Sequence, residues 1–314
     1  MKKVSIIIPV FNEQEVLPKL YERIEKLMAS CQNYEFEILF INDGSKDKSL
    51  EIIREMRQND NRICYVDFSR NFGKEIAMMA GLDYANGDCV VFIDADLQDP
   101  PELIPELIKY WEEGYDDVYA KRRSRKGESF FKKFTSKMYY KVLQKTTRIE
   151  IQKDTGDFRL LDRRCVNALK KLRESQRNTK SMFSWIGYNK KEVLYDRDPR
   201  VAGKTKWNYM KLLDLAVDGI TSFTTSPLRF STLIAIPTFG ILLIYFIYVI
   251  IKSFTINEAI QAYQAIILLI LFFSGVQILL FGIVGEYLGR IFNETKNRPL
   301  YLVNEYNGEK EMND

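Results

Sequence analysis

The sequence predicts an α/β domain built on a mostly parallel sheet with helices on both faces, followed by two C-terminal transmembrane helices. Three observations carry that expectation. From residue 4 to residue 120 short apolar runs alternate with segments of helical spacing, the order that lays parallel strands side by side under crossover helices. The runs end in polar and acidic residues, as strands do when their carboxyl ends open onto a ligand cleft. Residues 231–251 and 259–284 contain no Asp, Glu, Lys or Arg, and each is long enough to cross about 30 Å of hydrocarbon as a helix. A pair of buried core helices is the plain alternative for these two stretches.

Residues 4–10 form the first strand, with Phe11, Asn12 and Glu13 at its carboxyl end. Residues 15–30 set Val16, Leu20, Ile24 and Leu27 on one helical face. A second strand over 36–41 closes in Asn42-Asp43-Gly44-Ser45, and Ser45 or Asp47 is suited to cap the helix over 50–56. A third strand covers 63–67 and a helix 74–84, and Asn86-Gly87-Asp88 turns the chain into a fourth strand, 90–93. That strand delivers Asp94 and Asp96. Two carboxylates one residue apart can share a hard divalent cation, which takes oxygen ligands and leaves room for substrate phosphates. A pair of surface turn acids is the bland reading. Asp99, Pro100 and Glu102 read as a helix start, Asp99 as N-cap and Pro100 at the first position of a helix reaching 111. A further strand follows at 117–120. No Gly-x-Gly-x-x-Gly follows the first strand, so a dinucleotide fingerprint is absent.

The character then changes. Residues 121–148 hold eleven Lys or Arg against the single acid Glu128, with Phe130, Phe131, Phe134, Met138, Tyr139 and Val142 interleaved at helical spacing. A basic helix with an aromatic face suits anionic lipid; a solvated charged helix or a nucleic-acid patch is the alternative. Strand character resumes at 155–161, placing Asp157 just past Gly156, and again at 190–195. Residues 197–207 form a basic loop whose Arg200, Lys204 and Lys206 suit phosphate groups or lipid headgroups. Residues 209–223 have the apolar face of a helix lying in a membrane interface. Lys and Arg flank both spans on one side, while the short loop between them has only Lys252 at its edge, so both termini are expected on the cytoplasmic side. The resulting division is a catalytic domain over 1–208, its 121–150 segment on the membrane surface, interfacial helices over 209–230, a two-span hairpin over 231–290 and a tail over 291–314. The tail after Asn304 reads as disordered. Gly275, Gly282 and Gly285 in the second span permit close helix packing, compatible with a homo-oligomer.

Composition excludes several chemistries. The chain has no histidine, which removes a His-based triad, a His-liganded zinc and a His general base. Acid-base and metal work falls to Asp and Glu. Cys31, Cys64, Cys89 and Cys165 lie far apart without metal-type spacing, which suits a reducing compartment. A net charge of +4 is too small to indicate nucleic acid. The opening MKKVSIIIPVFNE is basic, but its apolar run breaks at Pro9 and turns polar at Asn12, unlike a signal peptide.

The strings SIIIPVFNE, ILFINDGSKD, SRNFGKE, VVFIDADLQDPPE, TGDFRLLDR and RVAGKTKWN, in that order and ahead of two spans, resemble the polyprenyl-phosphate glycosyltransferases of inverting family 2. The bactoprenol glucosyltransferases, relatives of the dolichol-phosphate mannose synthases, are the most similar branch. The resemblance implies a GT-A fold of the nucleotide-diphospho-sugar transferase type, an integral membrane enzyme with a cytoplasmic catalytic domain, a nucleotide-sugar donor and a polyprenyl or undecaprenyl phosphate acceptor. By the same resemblance Pro9, Asn12, Glu13, Asp43, Lys74, Asp94 and Gln98 hold the donor. Asp94 and Asp96 take Mg2+ or Mn2+, with Asp96 most directly on the metal. Asp157 is the catalytic-site aspartate, as base or as positioning group, and Arg200, Lys204 and Lys206 meet the phosphates. UDP-glucose is the first donor expected, ahead of UDP-N-acetylglucosamine, UDP-galactose and GDP-mannose. Asn42 departs from the aspartate often found there, and weakened local hydrogen bonding is expected from it. The rivals are a processive synthase, whose Gln-x-x-Arg-Trp segment is missing, and an inactive membrane scaffold.

Overall fold

The computed structural model describes residues 1–123, 155–175, 177–196 and 259–307, with residue 152 and isolated residues between 237 and 248. The chain divides into two compact units, residues 1–216 with 299–314, and residues 217–298.

The first unit is the α/β domain. Its strands are β1 (Lys2–Val10), β2 (Tyr34–Asn42), β3 (Ile63–Phe68), β4 (Cys89–Phe92), β5 (Asp117–Arg122), β6 (Thr155–Asp162), β7 (Lys190–Tyr195) and β8 (Val303–Asn307), in the sheet order β7-β5-β6-β4-β1-β2-β3-β8. The central β4-β1-β2-β3 strands run parallel, and β5 pairs parallel with β7. β6 enters antiparallel between β4 and β5, and β8 is antiparallel on β3. β1, β2 and β4 are buried almost throughout because helices cover both faces, and their side chains are accordingly apolar without alternation. The connecting helices are α1 (Leu17–Ser30), α2 (Ser49–Asn59), α3 (Lys74–Tyr84) and α4 (Ile104–Glu112). Two short helices that the sequence did not announce, α5 (Arg163–Lys170) and α6 (Thr179–Trp185), follow β6.

Close approach is built into the packing of α3 on β1. A Cβ on Gly81 would lie 2.3 Å from the Ile7 side chain, so glycine lets α3 sit down on the sheet.

Three expectations are corrected. Asp99 does not cap the helix after β4: Pro100 stays extended, a 3-10 turn spans Pro101–Leu103, and the buried Asp99 carboxylate accepts the Tyr195 hydroxyl at 2.5 Å, tying this loop to β7. Lys121 and Arg122 belong to β5 rather than to a basic helix; residues 124–150 lie outside the described residues. The tail after Asn304 is ordered through residue 307 as part of β8. Asn304 Nδ2 donates to Asp67 at 3.0 Å, Tyr65 donates to Glu305 at 2.5 Å, Arg54 pairs with Glu305, and Tyr306 packs on Tyr84 at 4.6 Å. An edge strand anchored by polar side chains leaves no apolar periodicity to read.

In the second unit α7 (Ala259–Thr295) runs 37 residues, about 55 Å at 1.5 Å per residue. Its stretch Phe273–Thr295 is long and apolar enough to cross a membrane, and Ile278, Phe281, Leu288 and Ile291 are exposed along it. It is the one such helix among the described residues. The first expected span, 231–251, falls mostly outside them, and the expected interfacial helix over 209–223 and the loop carrying Arg200, Lys204 and Lys206 fall wholly outside.

Candidate active site

At the carboxyl edge of the sheet the strand order reverses, with β2 on one side of β1 and β4 on the other. Open α/β sheets bind ligands at such a switch point. Three loops meet there. Asn12, after β1, adopts φ +55°, a left-handed conformation that asparagine tolerates better than most residues. Its N–H donates to Ser45 Oγ at 3.0 Å and its Oδ1 accepts from Lys46 N–H at 2.8 Å, while Glu13 N–H donates to Ser49 Oγ at 2.9 Å. These bonds lace the β1 and β2 loops together. Gly44, at φ +64°, lets the third loop close in: a Cβ there would lie 2.5 Å from the Arg70 carbonyl carbon.

Asp43 organises that third loop. The Phe72 N–H donates to its Oδ1 at 2.6 Å, Gly73 N–H reaches both oxygens, and Asn71 Nδ2 donates to Oδ2 at 2.9 Å. Burial pushes the Asp43 carboxyl upward against the pull of the Phe72 and Gly73 N–H groups. Asn42 Nδ2 donates to Asp67 Oδ1 at 2.7 Å, where an aspartate would face a second carboxylate, while its buried Oδ1 has no partner among the described residues. Pro9 lies half-buried in β1, opposite Ile41 of β2.

Gly73 ends the loop and α3 begins at Lys74, whose side chain is 43% exposed. Its Nζ lies 2.6 Å from Asp94 Oδ1, 2.9 Å from Asp94 Oδ2 and 2.6 Å from Asp157 Oδ2. Register explains the meeting: β4 and β6 pair Phe92 with Arg159, and Asp94 and Asp157 stand two residues beyond that pair on the two antiparallel strands. After β4 the half-buried Asp94, Asp96 and Gln98 alternate with the buried Ala95, Leu97 and Asp99 through a turn. Leu97 is held at φ +58°, a conformation unfavourable for a bulky side chain, and Gln98 N–H donates to Asp96 Oδ1 at 3.1 Å.

The charges are strongly coupled. Burial works to raise the Asp157 carboxyl, but Lys74, Lys180 and Arg159 overcome it and hold the group well below the usual carboxylate range. For Lys74, burial is overcome by Asp157 and Asp94, and the ammonium is held well above its ordinary value. Asp157 is an ionised carboxylate and Lys74 a cation at any pH near neutrality.

Sequence reasoning missed Glu75, which follows Lys74 and takes the Thr179 N–H at 2.8 Å, bridging α3 to the start of α6. Burial, reinforced by the Asp157 charge, pushes Glu75 up to about 7, against the Thr179 N–H, Lys74 and Lys180. A raised carboxyl means that the folded protein holds this proton more tightly than the unfolded chain does. The folded state therefore loses stability as pH climbs from the ordinary carboxylate range through 7. Glu75→Gln, which keeps the acceptor for Thr179, is expected to melt higher than the wild type at pH 8, with the advantage shrinking toward pH 5. A difference that does not change with pH in thermal melts would exclude the shift.

The donor set fits a hard divalent cation. Asp94 and Asp96 carry carboxylate oxygens of the kind such a cation takes, and Asp157 Oδ1 is buried without a hydrogen-bond partner among the described residues. No group of three or more metal-ligating side chains converges among the described residues.

Comparison with known proteins gives the family. The profile of Glycosyl transferase family 2 matches residues 5–170. An uncharacterized glycosyltransferase of Synechocystis sp. is 48% identical over 303 residues, covering 96% of this chain and 95% of its own. A prophage-derived bactoprenol glucosyl transferase of Shigella flexneri is 43% identical over 301 residues, covering 96% and 97%. Among solved structures, a mannosyl-3-phosphoglycerate synthase from Rubrobacter xylanophilus shares the GT-A-like fold with a TM-score of 0.50 at 16% identity, over 70% of this chain and 72% of its own. With a family match over more than half of its residues and full-length relatives at this identity, the chain belongs to glycosyl transferase family 2 and is a glycosyltransferase.

Proposed function

We propose that this protein transfers glucose from UDP-glucose to a polyprenyl phosphate, with inversion, at the cytoplasmic face of a membrane. The observation that carries the reading is the convergence of Asp94 and Asp157 at the carboxyl edge of the sheet, in a chain 43% identical end to end to a protein named as a bactoprenol glucosyl transferase. Two spans anchored at 231–290, with the catalytic domain and both termini cytoplasmic, would keep the site beside an acceptor whose tail cannot leave the bilayer. The uncharged 259–284 stretch and the length of α7 support this.

Asp94 and Asp96, with Gln98 beside them, would hold Mg2+ or Mn2+, which when bound neutralises charge developing on the departing diphosphate. The N-terminus of α3 offers N–H groups to the same anion, with Lys74 at its first position. Asn12, Glu13 and Asp43 hold the loops that border the nucleoside, and Arg200, Lys204 and Lys206 meet phosphate from the basic loop. A phosphate oxygen of the acceptor bonds to the anomeric carbon as the bond from that carbon to the diphosphate oxygen breaks, the electron pair leaving with UDP. Because a phosphate monoester has its second pKa near about 6, the acceptor is already mostly dianionic at neutral pH. The ionised Asp157, held well below the usual carboxylate range, is too weak a base to take the remaining proton, so its role would be to position the site through the Lys74 cation that it contacts.

The test is a donor screen with the full-length protein in detergent, undecaprenyl phosphate and Mg2+ or Mn2+. UDP-glucose is expected to give a lipid-linked hexose and free UDP, and EDTA to abolish both. Failure of every nucleotide sugar to label the lipid would reject the assignment.

A further inference from the structure

Both oxygens of Asp94 are covered by one ammonium. Lys74 Nζ sits 2.6 and 2.9 Å from them while also contacting Asp157, so one cation lies against two carboxylates. We propose that Lys74 is a tethered cation that competes with the divalent metal for Asp94, so that metal binds well only when the donor's diphosphate gives Lys74 another anion. The inference rests on the donor-site reading above and concerns the order in which the site is loaded.

Three features support it. Lys74 occupies the first position of α3, where the helix dipole disfavours a cation, so its placement depends on the two carboxylates. Its backbone is fixed by the loop that Asp43 grips at Phe72 and Gly73, whereas its ammonium sits on a four-carbon stem with rotatable bonds in a side chain that is 43% exposed. Asp157 Oδ1, buried and unpartnered among the described residues, leaves that carboxylate capacity to bind a ligand while Oδ2 keeps the ammonium. When a dication binds Asp94, the repulsion between it and an ammonium in contact with the same carboxylate must be relieved. The flexible stem does so by moving the charge toward the incoming diphosphate. Metal and nucleotide then strengthen each other's binding through Lys74, by the same factor in both directions.

The experiment measures Mn2+ binding to the full-length protein in detergent, by calorimetry or by the electron paramagnetic resonance of free Mn2+, with Mn2+ alone and with Mn2+ plus UDP. Lys74→Met, which keeps the stem and removes the charge, is expected to bind Mn2+ alone about tenfold tighter than the wild type and to lose most of the gain that UDP brings. Lys74→Arg, which keeps a cation, should stay close to the wild type in Mn2+ alone. Lys74→Gln gives the same readout if the methionine variant melts early. Affinity for Mn2+ alone that is unchanged or weaker in the neutral variants, or undetectable in all proteins, overturns the proposal. The wild-type transfer assay separates the two readings: glucose transfer with unchanged Mn2+ affinity removes only the competition, whereas the expected affinity pattern without transfer to lipid removes only the assigned reaction.

Discussion

Asp157→Asn is expected to slow sugar transfer by about a thousandfold or more while leaving the melting temperature within a few degrees of the wild type. The side chain keeps its volume, so packing at the start of β6 survives. What disappears is the carboxylate charge that Lys74 contacts at 2.6 Å and that the Lys180 charge also stabilises, and with it the placement of the Lys74 cation. The amide oxygen can still accept from Lys74, but the ion pair is gone, and the attraction of a full carboxylate charge comes from Asp94 alone. Single-turnover transfer to undecaprenyl phosphate, with UDP binding measured in parallel, is the appropriate assay. A loss in transfer with nearly unchanged UDP affinity places Asp157 in the chemical step, and activity within tenfold of wild type would remove it. Since Asp157 is ionised across the accessible pH range, the wild-type rate should rise through the acceptor's second ionisation near about 6 rather than follow this aspartate.

The parts of the fold that were legible are those where local chemistry and burial coincide. Residues 4–10 and 90–93 read as strands because a sheet covered on both faces demands largely apolar side chains, and Asp94 read as a site residue because acids at such a strand end mark a ligand cleft; the observed strands are Lys2–Val10 and Cys89–Phe92. Asp157 was found as an aspartate after a glycine, but nothing local gives the antiparallel β4–β6 register that sets it against Asp94. Lys74 was named through a string of resemblance, and its grip on two carboxylates from separate strands is a purely tertiary fact. The same holds for Asn42, whose partner Asp67 lies on the next strand over, and for Asp99, where the two prolines outweighed a tyrosine almost a hundred residues away. Glu75 was missed because a glutamate in the first turn of a helix is ordinary, and α6, which covers it, is too short to show a period.

One missed residue did leave a signal. In TGDFRLLD an arginine interrupts a run that otherwise reads as buried strand, and a buried charge requires a partner. Arg159 and Asp117 are both fully buried, with Arg159 Nη1 3.2 and 3.0 Å from the two Asp117 oxygens and the guanidinium 3.8 Å from the centre of the Phe183 ring. Burial pushes the Asp117 carboxyl upward despite the opposing charges of Arg159 and Lys190, so desolvation outweighs the attraction that compensates it. Arg159→Met is therefore expected to destabilise the α/β domain by about 3–5 kcal/mol, because it strands a buried carboxylate. The double variant Arg159→Met with Asp117→Leu should recover most of that loss, since two apolar side chains of similar bulk no longer require solvation. Denaturant titration of all four members of the cycle measures the coupling. A single-variant loss below about 1 kcal/mol would mean that the pair is solvated in solution. The double variant also shows what the pair does for catalysis. Arg159 lies two residues from Asp157 on the same strand and adds to the positive charge that keeps it ionised, so a stable double variant that still transfers sugar poorly would assign the pair to holding the Asp157 strand in position.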